Sequence, residues 1–175
     1  MPTSPNVHNY HIGKGIVSFK ETGTLSYRDL GNAPAFVYTP AVTKLEHFSS
    51  REGVKTKDFT AITQISATIK ITLDEITGEN LAYFALATQG VDTSGNITLE
   101  ALKKTEFVGE IKVVGTNDIG QKVDFDALVS FVPEGDFSFI TAEDKFTELI
   151  LTAEVQRDVS GNFGVWTVRD EVVSA

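Results

Sequence analysis

The stretch that decides the fold class of this chain is QISATIKITLD, residues Gln64–Asp74. Its odd positions, from Ile65 to Leu73, are all apolar, and its even positions are all polar. Alternation of period two is typical of a β-strand that has one buried face and one solvated face. At about 3.3 Å per residue this strand is roughly 36 Å long, about twice the usual length.

Further segments on both sides of this strand are also predicted to be strands. Three long ones repeat the alternation, at Gln121–Phe131, Thr147–Arg157 and Glu106–Val114, and three shorter ones lie at Gly15–Lys20, Ala35–Thr39 and Phe163–Arg169. Asn, Asp and Gly residues at 117–120 and 160–162 predict turns between strands. The single tryptophan, Trp166, and most phenylalanines lie in these patterns, so we predict that they belong to the core.

One helix is predicted at Thr77–Ala87, with the sequence TGENLAYFALA. Thr77 is a suitable N-cap and Glu79 suits the first helical turn. Gly90 follows and is able to end the helix. The residues at helical spacing that we expect to pack against the sheet are Leu81, Phe84 and Ala85.

Length and composition predict one domain that covers residues 1–175, with residues 1–13 as a flexible amino-terminal arm. Hydrophobic residues make up 41% of the chain and charged residues 22%, which is ordinary for a folded soluble protein. The chain has no cysteine, which suits a protein made in a reducing cytoplasm. No apolar run is long enough for a signal core or a membrane span, so no membrane binding is expected.

The net charge of −9 is unevenly distributed along the chain. Residues 1–72 contain eight Lys or Arg against five Asp or Glu, and residues 73–175 contain seven against nineteen. An acidic protein repels phosphate, which argues against sequence-specific binding of nucleic acid. A cationic first part and an acidic remainder are able to complement each other between subunits.

No residue pattern predicts catalysis, a cofactor or a metal site. His8 and His11 lie in a polar segment without a third ligand nearby, and the Ser residues near His47 do not by themselves form a catalytic arrangement. The segments 92–96 and 158–162 resemble the start of a calcium loop but lack its glycine at the sixth position, so we predict simple turns. The chain is therefore expected not to be an enzyme.

Strands of this length expose many unpaired backbone groups at the edges of a sheet. Closing the sheet into a barrel removes such edges, either within one chain or by pairing with other copies around a ring. The alternating pattern is compatible with both routes.

Two segments of the first half stand out by their order and spacing. They are LEHFSSREG at Leu45–Gly53, followed by Lys57-Asp58, and IKITLDEIT at Ile69–Thr77, followed by Glu79-Asn80-Leu81; Gly31 and Tyr38-Thr39-Pro40 precede them. With these segments, residues 15–87 resemble the amino-terminal half of the major tail tube proteins of siphophages, the phages with long flexible tails. That family shares its architecture with the type VI secretion tube.

The resemblance implies a mainly β fold, a single-domain β-sandwich or barrel flanked by one α-helix, which assembles into hexameric rings. Long strands of six subunits would complete one inner β-barrel, and a long extended loop at 41–59 would reach the neighbouring ring. The residues implied for the inter-ring loop are Leu45, Glu46, His47, Phe48, Ser49, Ser50, Arg51, Glu52, Lys55 and Lys57. The polar strand positions expected to face the lumen are Gln64, Ser66, Thr68, Lys70, Thr72, Lys122, Asp124 and Asp126.

The function implied is that of a structural virion protein. Stacked rings would form the tail tube through which the viral genome is ejected, and DNA would pass without sequence-specific binding. The implied partners are other copies of the chain and the tape-measure, tail-terminator and distal tail proteins, and no carboxyl-terminal decoration domain is expected. The alternatives are a type VI-like tube, a ring-forming tail-completion protein, or a monomeric β-sandwich binding module.

Overall fold

A computed structural model of the chain describes residue 4 and residues 10–51, 53–142 and 146–169. These residues form a mainly β fold with one helix, as the sequence predicted. The elements in chain order are β1 (Gly15–Glu21), β2 (Arg28–Asp29), β3 (Ala35–Ser49), β4 (Thr56–Leu73), α1 (Gly78–Ala85), β5 (Thr88–Val91), β6 (Ile97–Glu100), β7 (Phe107–Gly115), β8 (Lys122–Val132), β9 (Leu149–Gln156) and β10 (Val165–Arg169).

Eight of the strands form one antiparallel sheet, seven of them in the order β2-β1-β7-β8-β9-β4-β3. The eighth, β10, pairs with Lys122–Asp126 of β8, next to the segment of β8 that pairs with β9. β5 and β6, which the sequence did not predict, form a separate hairpin after the helix. The rings of Phe36 and Tyr38 on β3 lie 5.8 and 5.4 Å from the ring of Phe125 on β8. Because β9 and β4 lie between β3 and β8 in the sheet, these contacts require strong curvature around the core.

Most of the core consists of apolar strand residues that the alternation predicted, and Leu30, Tyr83 and Leu86 join it from outside those strands. The fully buried ones include Ile69, Ile71 and Leu73 on β4 and Leu149, Leu151 and Ala153 on β9. Burial of such side chains is the main favourable term in folding, at roughly 25 cal/mol per Å² of apolar surface. Ile65 breaks the prediction, since it continues the same alternation but is 55% exposed.

The helix begins as predicted and ends earlier. The Thr77 hydroxyl accepts a hydrogen bond from the Asn80 amide at 3.2 Å, and Leu86, at φ 45°, closes the helix with its amide donating to the Ala82 carbonyl. Gly90 therefore does not end the helix, and it lies in β5. Leu81, Phe84 and Ala85 pack against the edge of the core as half-buried residues.

A buried asparagine in the first turn holds the helix against the sheet. Asn80 is 0% exposed, and its side-chain amide donates to the carbonyls of Leu30 at 2.9 Å and Glu75 at 3.2 Å. Its side-chain oxygen accepts from the Arg28 guanidinium at 2.6 Å. A buried amide of this kind is tolerated because its polar atoms are paired.

Two other expectations are corrected by the structure. Most of the stretch 41–59, expected as a loop, is paired strand, because β3 continues to Ser49 and β4 begins at Thr56. Trp166 is 52% exposed and not a core residue, since all of β10 lies at the surface. Phe19, Phe107, Phe125 and Phe131 are buried, but several other phenylalanines are exposed.

The predicted flexible arm at residues 1–13 lies mostly outside the described residues. Within the described part, the Ile12 amide donates to the Ile119 carbonyl at 3.4 Å, and His11 contacts the Gln121 carbonyl through Nδ1 at 3.1 Å. Residues 10–13 therefore lie beside the turn between β7 and β8. The described part of the chain also contains no helix with the length and apolar character needed to cross a membrane.

Candidate functional site

The β3–β4 hairpin projects beyond the sheet, and we call its residues 41–66 the hairpin arm. β9 pairs with β4 only from Thr68 to Leu73, so the arm has no strand on its other side among the described residues. β3 and β4 remain paired with each other along the arm, from Ala41 opposite Ser66 to Ser49 opposite Thr56. At about 3.3 Å per residue, the arm extends roughly 30 Å.

Cross-strand contacts between charged side chains order the arm near its tip. Lys57 Nζ donates to Glu46 Oε1 at 2.6 Å, and His47 Nδ1 lies 2.6 Å from Asp58 Oδ1. Two register shifts, after Thr43 and after His47, are β-bulges, which increase the local twist of a hairpin. Of the residues predicted as an inter-ring loop, 45–49 and Lys57 therefore lie on the paired strands of a twisted hairpin, and Ser50, Arg51 and Lys55 lie in the connection between these strands. Glu52 lies outside the described residues.

Large apolar side chains of the arm are exposed on both of its faces. Val42 and Phe48 lie on one face of β3 and Leu45 lies on the other, since alternate residues of a strand point to opposite faces. The exposed apolar set of the arm is Val42, Leu45, Phe48, Val54, Phe59, Ile62 and Ile65, which are 48–76% exposed. A monomer rarely exposes so many neighbouring apolar residues unless they form an interaction surface.

The arm also carries cations without an ion-pair partner. Lys44, Arg51 and Lys55 form no ion pair with any carboxylate among the described residues. Residues 41–66 contain four Lys or Arg against three Asp or Glu, so the arm carries a small net positive charge beside its apolar side chains.

A second exposed apolar surface lies in the connection that leads from β8 to β9. We call the described residues of this connection, 133–142 and 146–148, the aromatic loop. Phe139, Ile140 and Phe146 are 87–91% exposed. Phe137 holds the loop against the body, with its ring 6.2 Å from Phe84 of the helix and 4.9 Å from Phe139.

The side chains predicted to face a lumen share one face of the sheet. Register places Thr68 of β4 opposite Glu154 of β9, which is opposite Ser130 of β8. Even-numbered residues of β4, β9, β8, β7 and β1 therefore point the same way. This polar face brings together Gln64, Ser66, Thr68, Lys70 and Thr72 with Lys122, Asp124 and Asp126.

Ion pairs neutralise the half of the polar face that β1, β7, β8 and β10 form. Arg169 contacts both carboxylate oxygens of Asp124, at 2.7 and 2.8 Å, and the Gly115 amide donates to the same group at 2.9 Å. The hydrogen bond from Arg169 is the largest cause of the lowered pKa of Asp124. Lys112 Nζ lies 3.9 Å from Asp126.

Tyr27 and Lys20 bind Glu110 on the same half of the face. Lys20 Nζ donates to Glu110 Oε2 at 2.8 Å and the Tyr27 hydroxyl donates to the same oxygen at 2.7 Å. These two bonds lower the pKa of Glu110, with Lys20 as the larger cause. Partial burial, then the bond to Glu110, raises the pKa of Tyr27 to about 12.

The half formed by β4 and β9 is rich in hydroxyl groups and sparsely charged. Thr68 and Thr72 alternate with Lys70, whose cross-strand neighbour is Thr152. Lys70 forms no ion pair with any described carboxylate. The polar face therefore consists of an ion-paired half and a hydroxyl half.

The two calcium-like segments are turns, as predicted. Asp92 Oδ1 accepts from the amides of Ser94 and Asn96, each at 2.8 Å, and Asp158 Oδ1 accepts from the Asn162 amide at 2.7 Å. These hydrogen bonds lower the pKa of both aspartates, and for Asp92 the largest cause is the side chain of Asn96. Within the described ranges, no group of three or more His, Asp or Glu side chains is placed to hold a metal ion.

The sequence predicted the side chains of the polar face but missed most of the exposed apolar side chains of the arm and the aromatic loop. Leu45 and Phe48 were among the predicted residues, whereas Ile65 was predicted as a buried strand residue, Ile62 was given no role and the aromatic loop was not predicted at all. The signal for the loop was present: Phe139, Ile140 and Phe146 lie between two strand patterns without continuing either.

Known proteins resemble this chain over most of its length. A family model described as "Protein of unknown function UCP028589" matches residues 10–144. No curated protein sequence matches the chain.

Similar solved structures share the fold. A chain of the PVC sheath–tube complex, an extracellular contractile injection system in its extended state, is 14% identical over 90% of both chains, with a TM-score of 0.53. A chain of the six-fold symmetrised baseplate of the anti-feeding prophage is 9% identical over 95% of this chain and 97% of that chain, with a TM-score of 0.51.

Proposed function

The chain belongs to the family described as "Protein of unknown function UCP028589", which names no activity, and from its surfaces we propose that it is a structural subunit of a phage-tail-like tube. In this proposal, six copies form a ring and rings stack into a conduit. Following the resemblance to siphophage tube proteins, the conduit would deliver a viral genome, and the protein would reside in the virion tail. The likeness in fold to chains of contractile injection system complexes supports this class of assembly.

The observation that carries the proposal is the hairpin arm. It projects about 30 Å and exposes apolar side chains on both faces. A partner on one side alone would leave the other face in water, so the arm suits insertion between other copies. At about 25 cal/mol per Å² of buried apolar area, such insertion is a strong driving force for assembly.

The edge of the sheet supplies the second element of the proposed assembly. Among the described residues, no strand pairs with the outer side of β3, which runs from Ala35 to Ser49. Pro40 lies in this strand, and proline within a sheet is confined to edge strands and bulges. A second copy would cover this edge by adding a strand, and repetition around a ring would produce the inner barrel.

The polar face would line the conduit in this proposal. Its cations Lys112 and Arg169 are occupied by aspartates, and Lys20 is occupied by Glu110. Each free cation on such a wall would add salt-dependent affinity for phosphate and retard DNA. Lys70 is a cation of this face without an ion pair among the described residues, and the hydroxyl groups and neutralised charges around it would favour passage without binding.

The proposed partners beyond the ring follow the family that the sequence resembles. They are the tape-measure, tail-terminator and distal tail proteins, which would meet the two ends and the interior of the tube. Residues 1–175 would act as one domain, because the core is continuous from β1 to β9.

A second candidate function is a ring that does not polymerise, such as a baseplate or tail-completion component. The likeness to a chain of the anti-feeding prophage baseplate favours this alternative. The two candidates differ in the product of assembly, since a tube grows with concentration and a ring does not.

The test compares the full chain with a variant that lacks the arm. Val42 and Ile65 are directly opposite each other, so replacing residues 43–64 with the two-residue turn Asn-Gly closes the hairpin and keeps the core. We expect tubes for the full chain in negative-stain micrographs and none for the short variant, with the melting temperature retained. A full chain that sediments as a monomer of 19.0 kDa at all concentrations would refute the proposal, and isolated rings would favour the second candidate.

A separate test concerns the lumen. The chain has no cysteine, so Thr68→Cys introduces a single thiol on the polar face. We expect a bulky maleimide-polyethylene glycol to label this thiol in the monomer and not in the tube, and Leu25→Cys serves as a control at a side chain that is 102% exposed. Equal labelling of Thr68→Cys in both states would place the polar face outside the conduit.

A further inference from the structure

The hairpin arm needs a receiving surface on another copy, and the aromatic loop offers one. Both are exposed, and both carry large apolar side chains that the fold of a single chain leaves uncovered. On one face the arm presents Leu45 and Phe59, and the loop presents Phe139, Ile140 and Phe146. Two such surfaces gain free energy when they cover each other.

The charges on the two surfaces are opposite. The exposed residues Glu134, Asp136 and Glu148 belong to the aromatic loop, and none of them forms an ion pair among the described residues. The arm cations without an ion pair among the described residues are Lys44, Arg51 and Lys55. The two sets of opposite charge are therefore available to pair with each other between copies.

The loop is held in place well enough to serve as a partner surface. Phe137 is half-buried and contacts Phe84 of the helix, and the Ser138 hydroxyl donates to the Ile140 carbonyl at 2.9 Å. These contacts present Phe139 and Ile140 to solvent from a position fixed against the body. The described residues of this connection form no helix or strand, and long connections of this kind are usually functional in a compact domain.

We propose that the hairpin arm of one copy docks on the aromatic loop of a neighbouring copy, with apolar contact at the centre and arm cations facing loop carboxylates at the rim. This inference rests on the proposed function, since it assigns the partner of the arm in the same assembly. Complementary charge would set the register and orientation of docking, and apolar burial would supply most of the affinity.

The first test uses the absence of cysteine in the chain. Val54→Cys places a thiol at the arm tip, where Val54 is 76% exposed, and Phe139→Cys places one on the loop. Equal amounts of the two variants are mixed, assembled and oxidised, and a covalent dimer is expected. Val54→Cys mixed with Leu25→Cys, an equally accessible control, is expected to give none.

The second test exchanges charge. Arg51→Glu with Lys55→Glu, and separately Glu134→Lys with Asp136→Lys, should each raise the critical concentration for assembly about tenfold, the change expected for two exposed ion pairs. A chain that carries all four substitutions should assemble nearly as well as the original. The effect of each pair should shrink as the salt concentration rises.

The outcomes separate this inference from the function on which it rests. Wild-type tubes together with no arm–loop dimer, or a dimer with Leu25→Cys instead, would overturn the docking assignment and leave the tube intact. Absence of any wild-type assembly would overturn both. Recovery of assembly by the chain that carries all four substitutions, with unchanged melting temperatures of all variants, would support the docking.

Discussion

The two parts of strand β4 both carry isoleucine residues, but these lie in opposite environments. In the part that pairs with β9, Ile69 and Ile71 are 0% exposed. In the arm, Ile62 and Ile65 are 61% and 55% exposed. The difference lies in what covers the apolar face, because β9 pairs with β4 only at Thr68–Leu73.

This comparison shows that an amphipathic strand specifies a need for a partner and not the identity of that partner. In the body, the partner is the core of the same chain. In the arm, Ile62 and Ile65 border a pocket with Arg157, Gly161 and Phe163 but remain more than half exposed, which is why we assign the rest of their cover to another copy.

The largest expected effect is a difference in stability between the same substitution made in the two parts of β4. Ile71→Ala should lower the free energy of unfolding by about 3 kcal/mol, because it removes a buried side chain and leaves a cavity. Ile62→Ala, the same change in the arm, should alter it by less than about 0.5 kcal/mol. Urea unfolding of dilute monomer measures both, and equal losses would contradict the comparison.

The second-largest expected effect is on assembly, and it is expected for substitutions in the arm. Ile62→Ala and Leu45→Ala, on opposite faces of the arm, should each raise the critical concentration for tube formation roughly 30-fold, corresponding to about 2 kcal/mol for a central apolar contact. Light scattering against concentration measures the change. If only one substitution weakens assembly, one face of the arm remains in solvent in the tube.

A third prediction tests the ion-paired half of the polar face through pH. The pKa of Asp124 is lowered in the folded chain, chiefly by Arg169, so its contribution to stability is present above the ordinary value of 3.8 and is lost as pH falls through and below it. Asp124→Asn should lower the free energy of unfolding by about 1 kcal/mol at pH 6. The difference from wild type should shrink as pH falls below 3.8, and a constant difference from pH 6 to pH 2 would exclude the titration of Asp124 as its source.

The smallest effect is expected for the surface ion pair of the arm. Lys57→Ala and Glu46→Ala should each change monomer stability by less than about 0.5 kcal/mol, because both groups are exposed and screened by salt. A double-mutant cycle gives the coupling between them. A coupling above about 1 kcal/mol would mean that the pair is more shielded than its exposure indicates.

Much of the fold followed from sequence because periodicity is a local property. The alternation in Gln64–Asp74 fixed a strand, Thr77 fixed the start of the helix, and the Asp-x-Ser-Gly-Asn segments fixed two turns. The end of the helix at Leu86 was missed because a left-handed leucine is a rare choice that depends on tertiary contacts. The hairpin register at 41–59 was missed because its strands alternate weakly and contain bulges.

By itself, the sequence determined an acidic, cysteine-free, mainly β chain with a polar and an apolar side to each long strand, since composition and alternation are written residue by residue. Only the tertiary structure decided that Ile65 is exposed while Ile69 is buried, and that Phe139 and Trp166 lie at the surface while Phe125 lies in the core. Burial depends on which elements cover a face, and that depends on strand order and sheet curvature. Those are set by contacts between residues far apart in the chain, such as Tyr38 with Phe125 and Asn80 with Leu30.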